Sequence, residues 1–309
     1  MRLHILGPLE VHDATGAPVE VTGVKRRALL ASLVVCAGRT VSTERLIAEL
    51  WGERPPANAA NALQAQMRRL RKTIEDAGGA PDRIHTRPPG YVLVLHPGES
   101  DAVEFVERLG AARTLAVTEP ARAVPPLRAA LALWRGPALD GCVLGDLCRS
   151  EAVVLEEHRL AALETLYDAS LRAGWHREVI GELEEACAAH PLRERFYDQL
   201  MVAMWRSDRQ SDALAVYDRA RRRLLHDLGV EPGPVLRARM RSILTDEVEL
   251  EPLAAQRVAH ESVELSRELA ELRRRVETLV SRQEALLESL RLDAGPAAGS
   301  EQFSGPRPR

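Results

Sequence analysis

Aromatic residues are scarce in this chain of 309 residues: they make up 4% of it, although 45% is hydrophobic. The cores must therefore be filled mainly by Leu, Ala and Val, which favours helices. The length allows two domains of about 150 residues, each with a core of ordinary size. We predict a mainly α-helical protein with more than one domain.

Signals for membrane insertion and export are also missing. No stretch approaches the roughly 18 apolar residues of a membrane span, and Gly7 and Pro8 interrupt the apolar N-terminus too early for a signal peptide. The four cysteines show no C-x-x-C or Cys/His spacing, which is typical of free thiols in a reducing compartment. These absences predict a soluble, cytoplasmic protein without a membrane partner.

Sequence motifs for catalysis are absent as well. The chain contains no G-x-x-x-x-G-K-[ST] loop for nucleoside triphosphates, no H-E-x-x-H metal motif and no G-x-S-x-G nucleophile motif. Its nine histidines are dispersed. We expect no enzyme activity, no cofactor and no metal ion.

The chain does have an uneven distribution of charge. Between Thr22 and Gly90 there are twelve Lys and Arg against six Asp and Glu, so this segment carries +6, and the remainder carries −9 of the total of −3. A basic module on an acidic body is typical of a protein that holds phosphate with one part and another partner with the rest.

The basic segment follows two β-rich stretches, residues 3–11 and 18–22, which we interpret as a small antiparallel sheet. Helices are predicted next, over 24–37 and 44–51. Three cations lie in the first turn of the first helix, where they oppose the helix dipole. Contact with a phosphate backbone and a solvated helix start are both open explanations for these cations, which are Lys25, Arg26 and Arg27.

A third helix, predicted over 57–77, has two different faces. Leu63, Met67, Leu70 and Ile74 recur at the spacing of a buried stripe. In the major groove Asn and Gln pair with adenine and Arg with guanine, and cations also neutralise phosphate. The opposite face and its flanks carry such side chains and no acid: Asn58, Asn61, Gln64, Arg68, Arg69, Arg71 and Lys72. A solvated face is the alternative, but two helices joined by a short turn are typical of a helix-turn-helix.

A hairpin is predicted immediately afterwards, over residues 83–95, with a Pro-Pro-Gly turn. A hairpin after a recognition helix is a wing. Arg87 lies at its tip, where it would reach the DNA backbone or the minor groove.

The chain from Asp101 to about Val248 is helical in pattern, with short turns between segments. Residues 175–179 recur 34 residues later, at 209–213. This period is typical of tetratricopeptide repeats, whose stacked helix pairs usually form a groove for another protein.

A heptad pattern follows over residues 258–290 and predicts a coiled coil within 251–292, and with it a homo-oligomer. A helix packed on the preceding domain is the alternative. The tail, 293–309, is rich in Gly, Pro and Ser and is predicted to be disordered. The residues expected to form the coiled-coil contact are Leu265, Leu269, Leu272, Val276, Leu279 and Leu286.

Five segments resemble, in order and spacing, the OmpR-type winged-helix domain of the Streptomyces antibiotic regulatory protein family. They are LGPLEV (6–11), VKRRALLASLVV (24–35), VSTERLIAELWG (41–52), PPANAANALQAQMRRLRK (55–72) and TRPPGYVL (86–93). Residues 130–139, 189–234 and 236–244 resemble the bacterial transcriptional activation domain of the same family. The resemblance implies a winged helix over 1–97 and a helical activation domain over 98–250.

The resemblance further implies binding to direct repeats at promoters and recruitment of RNA polymerase holoenzyme to a cluster for antibiotic or other secondary-metabolite biosynthesis. We therefore predict a sequence-specific transcriptional activator that binds double-stranded DNA. Its fold would be an α/β winged helix, an all-helical tetratricopeptide-like domain and a C-terminal coiled coil. An adaptor whose helical repeats bind a protein, and whose winged helix has no sequence preference, is the alternative.

Overall fold

A computed structural model describes residues 1–79 and 83–245, which belong to one compact unit, Met1–Asp246. The predicted coiled coil and tail lie outside the described residues, as do the six residues expected to form the coiled-coil contact. The N-terminal part contains β1 (Arg2–His4), β2 (Glu10–His12), β3 (Pro18–Val19), α1 (Val24–Val35), β4 (Val41–Ser42), α2 (Thr43–Trp51), α3 (Ala59–Asp76), β5 (Ile84–Arg87) and β6 (Gly90–Leu93). Seven helices follow: α4 (Asp101–Thr118), α5 (Pro120–Leu131), α6 (Asp146–Arg172), α7 (Ile180–Ala189), α8 (Glu194–Trp205), α9 (Gln210–Leu228) and α10 (Pro234–Thr245).

The N-terminal sheet is antiparallel, in the order β1-β2-β3, with Leu3 opposite Val11 and Val11 opposite Val19. The small antiparallel sheet predicted from residues 3–11 and 18–22 is confirmed, and the first stretch contributes two strands, β1 and β2, on either side of a bend at Gly7. Gly7 has a φ of +144°, and an added Cβ would lie 3.0 Å from Cβ of Arg135, so only glycine fits.

The three N-terminal helices pack around a core that includes Leu29, Leu30 and Leu33 of α1. Helix α1 ends at Val35 rather than at the predicted residue 37. Helix α2 is capped by Ser42, whose Oγ accepts a hydrogen bond from the Arg45 N–H at 3.2 Å. Strands β4, β6 and β5 form a second antiparallel sheet in that order, so the predicted hairpin is confirmed as β5 and β6.

The seven C-terminal helices confirm the predicted helical domain. The 34-residue period does not match the helix starts, since α7 begins at Ile180 and α9 at Gln210, 30 residues later. Helix α9 has 19 residues against 10 in α7, so α10 begins 40 residues after α8. The pairs α7–α8 and α9–α10 therefore differ in the lengths of their helices.

Several contacts cross the predicted domain boundary at residue 97. The Leu3 N–H donates to the Glu99 carbonyl at 2.7 Å. The Asp101 carboxylate, at the start of α4, accepts hydrogen bonds from the Ile5 and Leu6 N–H groups at 2.9 and 3.1 Å. These contacts join the N-terminal sheet to the helical part within one compact unit.

Candidate nucleic-acid interface

Helix α3 separates an apolar face from a polar one. Leu63, Met67, Leu70 and Ile74 are at most 2% exposed and pack beneath the helix. The polar residues on the other side are exposed: Asn58, Asn61, Gln64, Arg68, Arg69 and Lys72. The prediction that this helix is amphipathic is therefore confirmed. Six of its seven predicted contact residues lie on the exposed side.

Asn58 occupies the N-cap position of α3, but its side chain makes no capping hydrogen bond to the helix. Its carbonyl accepts from the Ala62 N–H at 3.0 Å, so only the backbone takes part in the helix start. The amide side chain of Asn58 is exposed to solvent.

Arg71 differs from its neighbours because its guanidinium binds the wing. Its Nε and Nη2 donate to the Ile84 carbonyl at 3.1 and 2.9 Å, and Nη2 also donates to Thr86 Oγ1 at 3.0 Å. The guanidinium carbon lies 5.9 Å from the centre of the Tyr91 ring. We predicted that Arg71 contacts DNA on the same face as its neighbours. These contacts instead place its guanidinium between α3 and β5, where it holds the wing against the helix.

The wing is also fixed at its turn. The Thr43 N–H and hydroxyl both donate to the Pro89 carbonyl at 3.1 Å. Gly90 packs so closely on β4 that an added Cβ would lie 1.8 Å from the Val41 carbonyl oxygen. Arg87, the last residue of β5, is exposed beside this turn.

The cations at the start of α1 are half-buried and have partners inside the chain. The Lys25 ammonium donates to the Leu50 carbonyl, at the C-terminal end of α2 where the helix dipole favours a cation. Arg26 Nη1 donates to Thr22 Oγ1 at 3.2 Å. Arg27 faces the thiol of Cys142, where the guanidinium opposes the rise in the thiol pKa that burial causes. A phosphate contact by these residues would compete with such interactions.

Glu49 joins the winged helix to the helical domain, a role that we did not predict from the sequence. Glu49, on α2 and 9% exposed, accepts a hydrogen bond from the Leu147 N–H in the first turn of α6. An acid here also suits the dipole of α6. Nothing in the sequence pointed to this contact, because the two residues are 98 positions apart.

Other types of site find no support among the described residues. In residues 1–79 and 83–245, no group of His, Cys, Asp and Glu is arranged to hold a metal ion. The same part of the chain has no helix that is both long and apolar enough to cross a membrane.

Comparison with known proteins supports the two-part architecture. Residues 16–93 match the family model of the C-terminal domain of transcriptional regulatory proteins, and residues 100–244 match that of the bacterial transcriptional activator domain. The transcriptional regulator RedD of Streptomyces coelicolor is 40% identical over 251 residues, which cover 80% of this chain and 71% of RedD.

The chain belongs to the Streptomyces antibiotic regulatory protein family.

Other members agree with this assignment. The regulatory protein DnrI of Streptomyces peucetius is 36% identical, over 79% of this chain and 92% of DnrI. The solved structure of Mycobacterium tuberculosis EmbR in complex with a low-affinity phosphopeptide superimposes with a TM-score of 0.79 at 35% identity, and covers 87% of this chain and 70% of that one. As a member of the Streptomyces antibiotic regulatory protein family, the chain is a transcriptional regulator with a winged helix and a helical activator domain.

Proposed function

We propose that this regulator binds direct repeats at promoters in a sequence-specific way and recruits RNA polymerase holoenzyme to a secondary-metabolite, or antibiotic, biosynthesis cluster. The observation that carries the proposal is the exposed face of α3, where amides and cations stand opposite a fully buried apolar stripe. Such a helix presents hydrogen-bonding groups to base edges while its other face holds it on the domain.

In this proposal the residues of α3 divide into two groups. Asn61, Gln64, Arg68 and Lys72 contact bases or the floor of the major groove, with Asn58 at the helix start. Arg69 contacts phosphate, and Arg87 does so from the wing. A lost bidentate base contact should cost about 1–3 kcal/mol and relax specificity at one position, whereas a lost phosphate contact should weaken all sequences alike.

The contacts around Arg71 support the proposal because they fix the wing relative to α3. Its guanidinium joins the middle of α3 to the first wing strand through Ile84 and Thr86. A base-reading helix and a backbone-contacting wing must keep a fixed spacing in order to engage adjacent grooves together. Arg71 would then act on DNA binding through the wing.

The helical domain is the part expected to meet the polymerase. It is attached to the winged helix through Asp101 and Glu49, so a helical domain carried to a promoter would present its surface at a defined place beside the DNA. Direct repeats would place two copies of the chain in tandem, as the family resemblance implies.

The experiment is sequencing of genomic DNA fragments that the purified full-length protein retains at near-physiological salt. We expect enrichment of a few promoter fragments that share a repeated short motif, and loss of this enrichment in an Arg68→Ala, Lys72→Ala variant. A double variant of exposed cations outside the winged helix, Arg177→Ala with Arg237→Ala, has the same change of charge and should keep it.

Uniform retention across the genome, or unchanged enrichment in the α3 variant, would contradict the proposal and favour the adaptor. On an enriched promoter, transcription by purified holoenzyme should rise when the protein is added. Specific binding without a rise in transcription would contradict the recruitment of RNA polymerase but not the recognition of DNA.

A further inference from the structure

The helical domain contains a concave groove of about 620 Å³, away from the winged helix, between α7, α8 and α9. Its volume is in the ordinary range for sites that take a small molecule or a few side chains. Stacked helix pairs commonly bind extended protein segments in such concavities.

Basic side chains are the most frequent kind in the lining of this groove. Arg219, Arg222, Arg223 and His226 follow one another along a single face of α9, whereas the lining includes one carboxylate, that of Glu184. Basic side chains therefore outnumber acidic ones in the lining, although the chain outside residues 22–90 carries an excess of acid.

The three guanidinium groups are not equivalent. Arg219 Nη2 lies 2.7 Å from Glu184 Oε2, and Arg223 Nε lies 2.7 Å from Asp227 Oδ2. Arg222 lies between them in sequence, is exposed, and makes no ion pair with any residue that the structure describes. One guanidinium fork in the groove is thus open to an external carboxylate.

The floor of the groove is poorly solvated. Cys187 and Tyr197 line it and are each 3% exposed. Burial raises the pKa of the Cys187 thiol to about 12. Ion pairs formed beside such a floor are screened less by water than pairs on an open surface.

Exposed apolar side chains lie at the same end of α9. Leu225 is 40% exposed, Leu228 is 56% exposed, and Val230 just beyond the helix is 48% exposed. A ligand with both carboxylate and apolar side chains would match the groove and this neighbouring surface together.

We propose that the groove docks an acidic, partly apolar segment of a partner protein, with Arg222 receiving one of its carboxylates. This inference rests on the proposed function, because it assigns a site to the protein partner that an activator requires. A protein segment fits better than DNA, since a concavity of this size admits side chains but not a duplex.

The test uses a random twelve-residue peptide library displayed on phage and selected on the full-length protein. We expect enriched sequences that combine Asp or Glu with apolar residues. A synthetic copy of the most enriched peptide should bind Arg222→Glu at least about tenfold more weakly than the unaltered protein, and Arg222→Lys to an intermediate degree. Arg122→Glu on α5, whose side chain is 74% exposed, is the charge-matched control and should bind normally.

Enrichment of neutral or basic peptides, no enrichment, or equal binding by Arg222→Glu would overturn the inference. Promoter DNA is measured with the same variants, and its affinity should not change. A tenfold loss for DNA in Arg222→Glu would assign the groove to nucleic acid instead. Failure of the proposed function would appear separately, as a lack of sequence preference in the unaltered protein.

Discussion

Glu49 of α2 and Leu147 of α6 are joined by a hydrogen bond, in which the buried carboxylate accepts from a backbone N–H at the start of the longest helix among those that the structure describes. The contact links the helix-turn-helix directly to the activator domain. It also leaves no room for a side chain at Gly145, where an added Cβ would lie 2.3 Å from Glu49 Oε2 and 2.8 Å from Glu49 Cα.

Gly145→Ala should therefore lower the free energy of unfolding by about 1–3 kcal/mol, because either α2 or the start of α6 has to shift. Urea unfolding of the full-length protein measures this change. Gly181→Ala is the control: it lies in α7 with nothing within 4 Å of the added Cβ, and should be neutral or stabilising by up to about 1 kcal/mol. Equal effects of the two substitutions would show that the packing against Glu49 does not matter.

Asp101→Asn should cost about 2–3 kcal/mol, because an amide replaces a buried carboxylate that accepts from the Ile5 and Leu6 N–H groups. Arg135 Nη2, 3.5 Å away, loses its attraction to the same carboxylate. Asp146→Asn is the matched control, since its side chain is 98% exposed, and should stay within about 0.5 kcal/mol. The comparison is again by urea unfolding, and a stable Asp101→Asn variant would contradict the described junction.

Arg69 and Arg71 lie on the same helix and differ in proposed role: Arg71 holds the wing in place, whereas Arg69 contacts DNA directly. Arg71→Ala should destabilise the protein by about 1–2 kcal/mol, because the Ile84 carbonyl loses its two side-chain hydrogen bonds. Arg69→Ala should change stability by less than about 0.5 kcal/mol, because the side chain is exposed. Both should weaken promoter binding in a fluorescence-anisotropy titration. If Arg71→Ala left the free energy of unfolding unchanged, the hydrogen bonds of Arg71 to the wing would not stabilise the domain.

The thiols should react in the order of their burial. Burial raises the pKa of Cys148 from the ordinary thiol value of 9.0 to about 12, and does the same for Cys187. At pH 8 we expect iodoacetamide to label the half-buried Cys36 and Cys142 first, and the other two only after unfolding, as followed by mass spectrometry. Equal rates at all four would contradict this order.

These raised pKa values also predict a direction for stability at alkaline pH. The unfolded chain releases the thiol protons first, near pH 9, so the contribution of the buried thiols is complete below that pH and is lost as the pH rises toward 12. Replacing Cys148 with Ala should make the decline in this window shallower. An unchanged decline would show that other groups dominate it.

The heptad pattern outside the described residues gives a prediction for self-association. Leu272→Glu with Leu279→Glu should lower the apparent mass of the full-length protein in light scattering, because both residues fall at apolar heptad positions. Arg274→Glu, at an outer heptad position, is the control and should leave the mass unchanged. A double variant with unaltered mass would favour the alternative, a helix packed on its own domain.

Local pattern was enough to predict part of this structure. The stripe of Leu63, Met67, Leu70 and Ile74 follows from helical periodicity, because all its members belong to one helix and face one core. The Ser42 cap follows from local chemistry in the same way, since donor and acceptor lie three residues apart.

The roles of other residues depended on distant partners and could not be predicted. Arg71 looks like its neighbours in sequence, and only the wing strand 13 residues later distinguishes it. Asp101 reads as an ordinary acid in a first helical turn, yet its carboxylate binds backbone 96 residues earlier. Lys25 was expected to oppose its own helix dipole, but its ammonium lies at the favourable end of α2.

The contacts of Asp101 and Glu49 bear on how this protein can be dissected. A fragment cut at residue 97 would retain every residue of the winged helix and lose the acceptor for its Ile5 and Leu6 amides. It would also expose Glu49, together with the apolar side chains that α6 covers. DNA footprints measured with such a fragment would describe a winged helix that has lost these packing contacts. A fragment that keeps the contacts of both Asp101 and Glu49 must extend past Leu147, and so must include the start of α6 in the helical domain.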